Sequence, residues 1–442
     1  MPKKSRKLLP IYYPIETMAR ELDARILFSL ISSNRGRSVF IGHKADITRY
    51  LIKGSAPSGF YIHKSIAEKQ KNRFQKIKSS GHRVLVNDEE GLIYPSANYY
   101  NQSRVSKESM KNVEIFFCWG KKHASDVLPI FEGYEKKIVI AGNPRFDLLR
   151  SPYIGLIGGG KSRNKFKILV NTNFGLYNPD KGRAVKILGR EMQEGYNYKK
   201  MMARLFKEMI HKISDEFPLC DLVVRPHPSE DIGYWVREVG NLENLSVRRE
   251  GSAIYELSST DILIHNGCTT GIEARFMGVE VLSYEPLQPN KWNSGLPHLV
   301  SRSVETLDQV IESIRLKKEA ELESCQEINE VIKFYIENAS GDLSIHRMLQ
   351  AIEGLENSRE KVIAVPWFNK ILRLAKKKVS LIRNPGVIPR SEYSLKKCPH
   401  LKLEQIEEKL YQYCSRDKDL KMPDVSEPWP GCFRINSIRE NV

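Results

Sequence analysis

Residues 261–278 read DILIHNGCTTGIEARFMG, and the succession of residue types in that stretch decides the fold. Ile262–His265 is a short, largely apolar run, the pattern of a strand buried on both faces. Small and polar residues follow at 266–268, and from Thr269 or Thr270 the spacing turns helical, with a hydroxyl where a helix start favours one. A buried strand, a small-residue loop and a helix make half of a β-α-β unit, and such units build parallel sheets. The pattern repeats on either side. Strands are expected at 167–170, 222–225, 245–248 and 279–284, with a long helix around 198–215.

The first third of the chain has the same rhythm. Strand-like runs at 8–13, 39–43, 60–63, 84–86, 113–119 and 138–141 alternate with helical stretches at 16–32, 65–78 and 121–130. Between the two series lies a glycine-rich polar segment containing GLIGGGKSRN, which suits a flexible connection. The expected class is α/β, with two Rossmann-like doubly wound domains. The first spans 1–150 and the second 166–340, joined by a linker at 151–165. Residues 341–442 are expected to form a basic tail that includes an amphipathic helix at 366–383. No element is assigned over 384–442.

Composition narrows the function. At 442 residues, 41% hydrophobic and 28% charged, the chain is globular, and no stretch approaches the roughly 20 apolar residues that a membrane crossing needs. The basic start lacks a cleavage-site pattern, so a cytoplasmic protein is expected. Seven cysteines without a CxxC pair match neither a disulfide framework nor a zinc site. A net charge of +17 calls for an anionic partner, but no zinc-finger, RNA-binding or helix-turn-helix pattern makes nucleic acid that partner. A phospholipid surface or an acidic or nucleotide-linked sugar remains.

In open parallel sheets ligands sit beyond the carboxyl ends of the strands, so the residues just after each strand are informative. After the strand ending near Val86 come Asp88, Glu89, Glu90 and Gly91. Crowded carboxylates at a sheet edge raise one another's pKa, which suits a proton acceptor, although the triplet also reads as a solvated acidic turn. In DLVVRPHPSE two prolines stiffen the loop around His227. That presents Arg225 and His227 as phosphate ligands, with Ser229 and Glu230 closing the loop. In the opening stretch, Asn266, Gly267, Cys268, Thr269 and Thr270 are expected to offer free amides and hydroxyls to an anion, and Glu273 to reach a ribose hydroxyl. Asn171, Thr172 and Asn173 follow the first strand of the second domain and either face a ligand or make turns. Glu16 and Arg20 have the i,i+4 spacing of a surface ion pair, beside Glu21 and Asp23.

Together GNPRFDLL, VNTNFG, RPHPSE and HNGCTTGIEA resemble the bacterial family of surface carbohydrate biosynthesis proteins, over about residues 8–330. More distantly, an acidic pair before glycine, then His-Pro, then a Ser/Thr pair is similar to the B-type-fold sialyltransferases and Kdo transferases. That resemblance implies a GT-B arrangement of two domains facing across a cleft, a CMP-activated Kdo-like or nonulosonic acid donor, and no metal or other cofactor. It implies Glu90 as the catalytic carboxylate directly before Gly91. His227 with Pro228 would hold the CMP phosphate, and Thr269 with Thr270 would assist. Because Asp88 makes the pair a triplet, Glu89 could occupy the catalytic position instead. The implied acceptor is a glycan or a lipid-linked molecule, reached at an anionic membrane surface. Teichoic-acid glycerophosphotransferases carry similar GNPR and RPHP segments, so a CDP-polyol transferase is the alternative. A third is a non-catalytic polysaccharide-assembly protein.

Overall fold

The structure is a computed structural model that describes residues 8–94, 96–157, 165–180, 189–250, 253–287, 295–319, 328–357 and 390–438. The chain divides into two compact units, Met1–Leu156 with Lys333–Val442, and Ile157–Ile332.

In the first unit, six parallel strands follow one another along the chain: β1 (Ile11–Tyr12), β2 (Val39–Gly42), β3 (Phe60–His63), β4 (Arg83–Asn87), β5 (Val113–Cys118) and β6 (Ile138–Ile140). β1 pairs with both β2 and β3, so the winding direction of the sheet changes there. The sheet is buried on both faces, as its unbroken apolar runs require.

The second unit holds β7 (Lys167–Asn171), β8 (Asp221–Arg225), β9 (Leu245–Val247), β10 (Ile262–His265), β11 (Glu280–Tyr284) and β12 (Arg302–Val304), in the order β12-β11-β10-β7-β8-β9. Alternate side chains go to opposite faces. Ile168, Val170, Leu222, Val224, Ile262 and Ile264 meet Met202, Phe206, Met209, Ile210 and Ile213 of the Arg190–Glu216 helix. Leu169, Val223 and Leu263 pack on Leu257, Ala274, Val279 and Val281. Each such side chain contributes about 1.5–3 kcal/mol relative to exposure, which fixes the strand register and therefore which residues end at the carboxyl edge.

Three expectations change. The helix expected over 65–78 is a short 3-10 turn, Glu68–Gln70, followed by the Lys71–Ser79 helix. β12 has no counterpart in the sequence pattern. The described part of the expected tail is built into the first unit. There β13 (Val425–Trp429) and β14 (Cys432–Ile435) form a hairpin, and β14 pairs antiparallel with β2. The reason is physical: β2 would otherwise be an edge strand with unpaired backbone groups. Trp429 stacks on Tyr50 and Phe40, and the Leu403–Arg416 helix buries Ile406, Leu410 and Tyr413.

The return to the first unit is anchored by GNPRFDLL. Asp147 accepts from the first amides of the Ser344–Asn357 helix, Ser344 at 2.8 Å and Ile345 at 2.9 Å, and from Asn338 Nδ2 at 2.6 Å. Gly142, at φ 83°, leaves no room for a side chain, since a Cβ would lie 2.1 Å from Asn338 Oδ1. The amphipathic helix expected at 366–383 and most of the expected linker lie outside the described residues. Among the described residues no helix is long and apolar enough to cross a membrane.

Candidate functional site

In the second unit, β7 lies between β10 and β8, and the register sets Asn171 beside both His265 and Arg225. The three loops singled out in the sequence therefore leave adjacent strands at one carboxyl edge, where the winding direction of this sheet changes.

Glu230 ties the RPHPSE loop down. Its Oε1 accepts from Thr172 Oγ1 at 2.8 Å and from the His227 amide at 3.0 Å, and its Oε2 accepts from Trp235 Nε1 at 2.9 Å. Burial raises the pKa of this carboxyl against the pull of those neutral donors. Glu230 is fully buried, so it serves the loop's shape. His227 Nδ1 accepts from the Ser229 amide at 3.2 Å and lies 2.7 Å from Ser229 Oγ. An accepting Nδ1 places the neutral ring's proton on Nε2, where it is a donor. Arg225 is buried and donates to the Glu250 carbonyl at 3.0 Å. Arg249, which the sequence did not suggest, donates to the Glu230 carbonyl at 2.8 Å and the His227 carbonyl at 3.3 Å.

The HNGCTT loop departs from expectation. Its amides were expected to be free for an anion, but those of Gly267 and Cys268 turn inward to the buried His265, at 2.8 and 3.4 Å from its Nδ1. Burial drives the His265 pKa down to about 3, so the ring is neutral and accepts. Gly271 makes room for that ring, since a Cβ there would come within 2.5 Å of His265 Nε2. Gly267 supplies φ 92°, the left-handed turn that admits the geometry. Thr270 is buried and accepts from Asn171 Nδ2 at 2.7 Å, while Thr269 is exposed. Glu273 is buried, and burial pushes the Cys268 thiol up, which keeps it protonated. Asn173 is part-buried. Asn266 is 1% exposed, yet neither its Oδ1 nor its Nδ2 has a hydrogen-bond partner among the described residues.

In the first unit the acidic triplet splits into three environments. Asp88 is fully buried, held by Arg104 at 3.1 Å and by the Glu90 amide at 2.9 Å, and burial raises its pKa. Glu89 is buried against Arg25, whose Nη2 lies 2.6 Å from Oε1, with Arg145 of GNPR 3.8 Å from Oε2. Burial would push the Glu89 carboxyl up, but Arg25, then Arg145 and Arg20, hold it down to about 2. Glu90 alone opens to solvent, with 46% of its side chain exposed, and Arg20 contacts it at 3.1 Å. Burial raises the Glu90 pKa less than Arg20 and Arg104 lower it, so it is a carboxylate at neutral pH.

The triplet's position is fixed from behind. Trp119 Nε1 donates to the Asp88 carbonyl at 2.6 Å, and a Cβ on Gly91 would come within 2.3 Å of the His123 ring. The expected Glu16–Arg20 surface pair does not form. Glu16 pairs with Lys44 and Lys64, while Arg20 turns to Glu90 and Glu21. Tertiary contact with the β2, β3 and β4 edges outcompetes a weak intrahelical pair. Arg25, stacked 3.7 Å from the Tyr13 ring centroid, was not apparent in the sequence.

No family model and no curated protein matches the sequence. Solved structures match in architecture. A UDP-N-acetylglucosamine 2-epimerase superposes with a TM-score of 0.50 at 11% identity, covering 80% of this chain and 98% of its own. The fold is GT-B. A Listeria monocytogenes protein described as a UDP-N-acetylglucosamine 2-epimerase gives a TM-score of 0.49 at 15% identity, with the same coverage of 80% and 98%. The wall teichoic acid polymerase TagF gives 0.44 at 10% identity, covering 84% of this chain and 90% of its own. Likeness at this level of identity is a likeness of fold.

Proposed function

We propose that the chain is a carbohydrate-active enzyme that takes a nucleotide sugar at the carboxyl edge of the second sheet. More narrowly, we propose a glycosyltransferase of surface polysaccharide assembly. The supporting observation is the His227 loop, strapped by Glu230 and Ser229 with Nε2 left as a donor, two residues beyond Arg225 at the end of β8. Preorganised donors of this kind stabilise the charge that develops on a leaving phosphate without reorganising during reaction.

Glu90 is assigned to the sugar. As a carboxylate it either accepts the proton of the acceptor hydroxyl in an inverting transfer or attacks the anomeric carbon in a retaining one. Glu90 is preferred to Glu89, which is paired with Arg25 in a buried position, and to Asp88, which is buried. The donor assigned from motif resemblance is a CMP-linked Kdo-like or nonulosonic acid, and the acceptor a glycan or lipid-linked molecule. Residues 366–383, with Trp367, Phe368, Ile371 and Leu372 among Lys370, Arg373, Lys376, Lys377 and Lys378, are proposed to rest on the anionic cytoplasmic face of the membrane.

A calorimetric screen of the full chain against CMP, CDP and UDP tests the donor assignment, and CMP is expected to bind tightest. Preference for CDP with turnover of CDP-glycerol would replace the sugar donor by a polyol phosphate. Epimerisation of UDP-N-acetylglucosamine would replace transfer by isomerisation. Co-sedimentation with anionic but not neutral vesicles tests the membrane assignment, and equal sedimentation with both would contradict it.

A further inference from the structure

The buried face of the Arg190–Glu216 helix includes Gly195, Met202, Ala203, Phe206, Met209, Ile210 and Ile213, the spacing of an apolar stripe. Lys199 falls on that stripe, four residues after Gly195 and three before Met202. A lysine at a core-facing position is costly unless something compensates its charge. Because the helix leads from β7 back to the start of β8, its first turns stand at the carboxyl edge of the sheet.

The Lys199 ammonium lies 5.8 Å from the centroid of the Phe174 ring. Phe174 belongs to the loop after β7, and its amide donates to Glu230. The next residue, Gly175, is pressed against Ser229 so closely that a Cβ would lie 2.1 Å from its Oγ. The charge that Lys199 feels is that of Glu230 in the RPHPSE loop. Yet it makes no hydrogen bond or ion pair with any described residue, and burial pushes its pKa down to about 8. Glu230 does not neutralise it at contact distance, since that carboxyl is occupied by Thr172, Trp235 and two amides. The buried amide of Asn266, in the loop after β10, also lacks a hydrogen-bond partner among the described residues.

We propose that Lys199 is a ligand of the donor's phosphate, a cation left uncompensated on the core stripe so that the nucleotide supplies its counter-charge. This rests on the assignment of the donor to this edge. It adds a position from a helix to a site otherwise made of loops, and makes nucleotide affinity depend on a charge that the fold alone does not need.

The two roles separate because they move stability and affinity in opposite directions. Lys199→Met keeps the stem and removes the charge. Its unliganded thermal midpoint is expected to equal or exceed that of the wild type, while its affinity for CMP or CDP falls about tenfold or more, as loss of a charged hydrogen bond implies. Cytidine, which carries no phosphate, is expected to bind both proteins alike, and Lys199→Arg to recover part of the nucleotide affinity. Unchanged CMP and CDP affinity in Lys199→Met overturns the proposal, as does a lowered midpoint with cytidine and nucleotide affinities falling together. Should the wild type bind neither CMP nor CDP, the donor assignment fails and Lys199's role with it.

Discussion

The two sheet edges solve the problem of polar groups at a buried strand end in opposite ways. At the first, charges neutralise one another: Arg20, Arg25, Lys64 and Arg145 meet Glu16, Glu21, Glu89 and Glu90. At the second, Glu230 is satisfied by neutral donors, His265 is kept neutral by burial, and Lys199 and Arg249 form no ion pair with an acid among the described residues. The first edge is internally balanced with one carboxylate turned outward. The second retains positive charge, which is what an anionic ligand requires.

The sharpest way to break this comparison uses neighbouring residues. Glu90→Gln is expected to lower transfer about 10²–10⁴-fold, the usual contribution of a positioned base, while moving unfolding stability by no more than about 0.5 kcal/mol. Glu89→Gln is expected to do the reverse first, costing about 3–5 kcal/mol by leaving Arg25 buried without its counter-charge. Urea unfolding and a transfer assay on both variants check the pair. A stable, inactive Glu89→Gln protein would move the catalytic role one residue back.

At the second edge, Glu230→Gln is expected to cost less, about 1–3 kcal/mol, because an amide nitrogen must face a donor that the carboxyl accepted. Acid separates the edges further. Glu89 is held down to about 2 from 4.5, so its stabilisation is complete above about pH 4.5 and is lost as pH falls toward 2. Glu230 is raised above 4.5, so it disfavours the folded state as pH climbs from 4.5 through its folded pKa. Urea midpoints between pH 3 and 7 should show a shallower acid-side slope in Glu89→Gln and a smaller opposing slope in Glu230→Gln than in the wild type. Equal slopes in wild type and both variants would contradict the assigned environments. The smallest effect expected is that of Thr270→Val, about 1 kcal/mol, since it leaves Asn171 Nδ2 without its acceptor.

Much of this was legible in the sequence because it is local. The apolar runs at 222–225 and 262–265 fix strand ends to the residue, and the strand end decides which side chains reach the edge. What could not be seen was pairing across the chain. Nothing near Arg25 announces Glu89, and nothing near 432–435 announces that β2 needs a partner. The free amides expected after β10 were lost to His265, which reads as one more residue of a strand until its ring is seen turning back. Lys199 did leave a signal, a cation on an otherwise apolar stripe, but its meaning depends on which end of the helix meets the sheet edge.

The central proposal is that the chain cleaves a nucleotide sugar with the help of Glu90. Its most direct test is nucleotide release from CMP-Kdo by the purified full chain, with CMP affinity measured in parallel for wild type and Glu90→Gln. The expected result is CMP release by the wild type, and none by a Glu90→Gln protein that still binds CMP within a few-fold. Release at wild-type rate by Glu90→Gln, or a folded wild type inert toward CMP-, CDP- and UDP-linked donors alike, would contradict it.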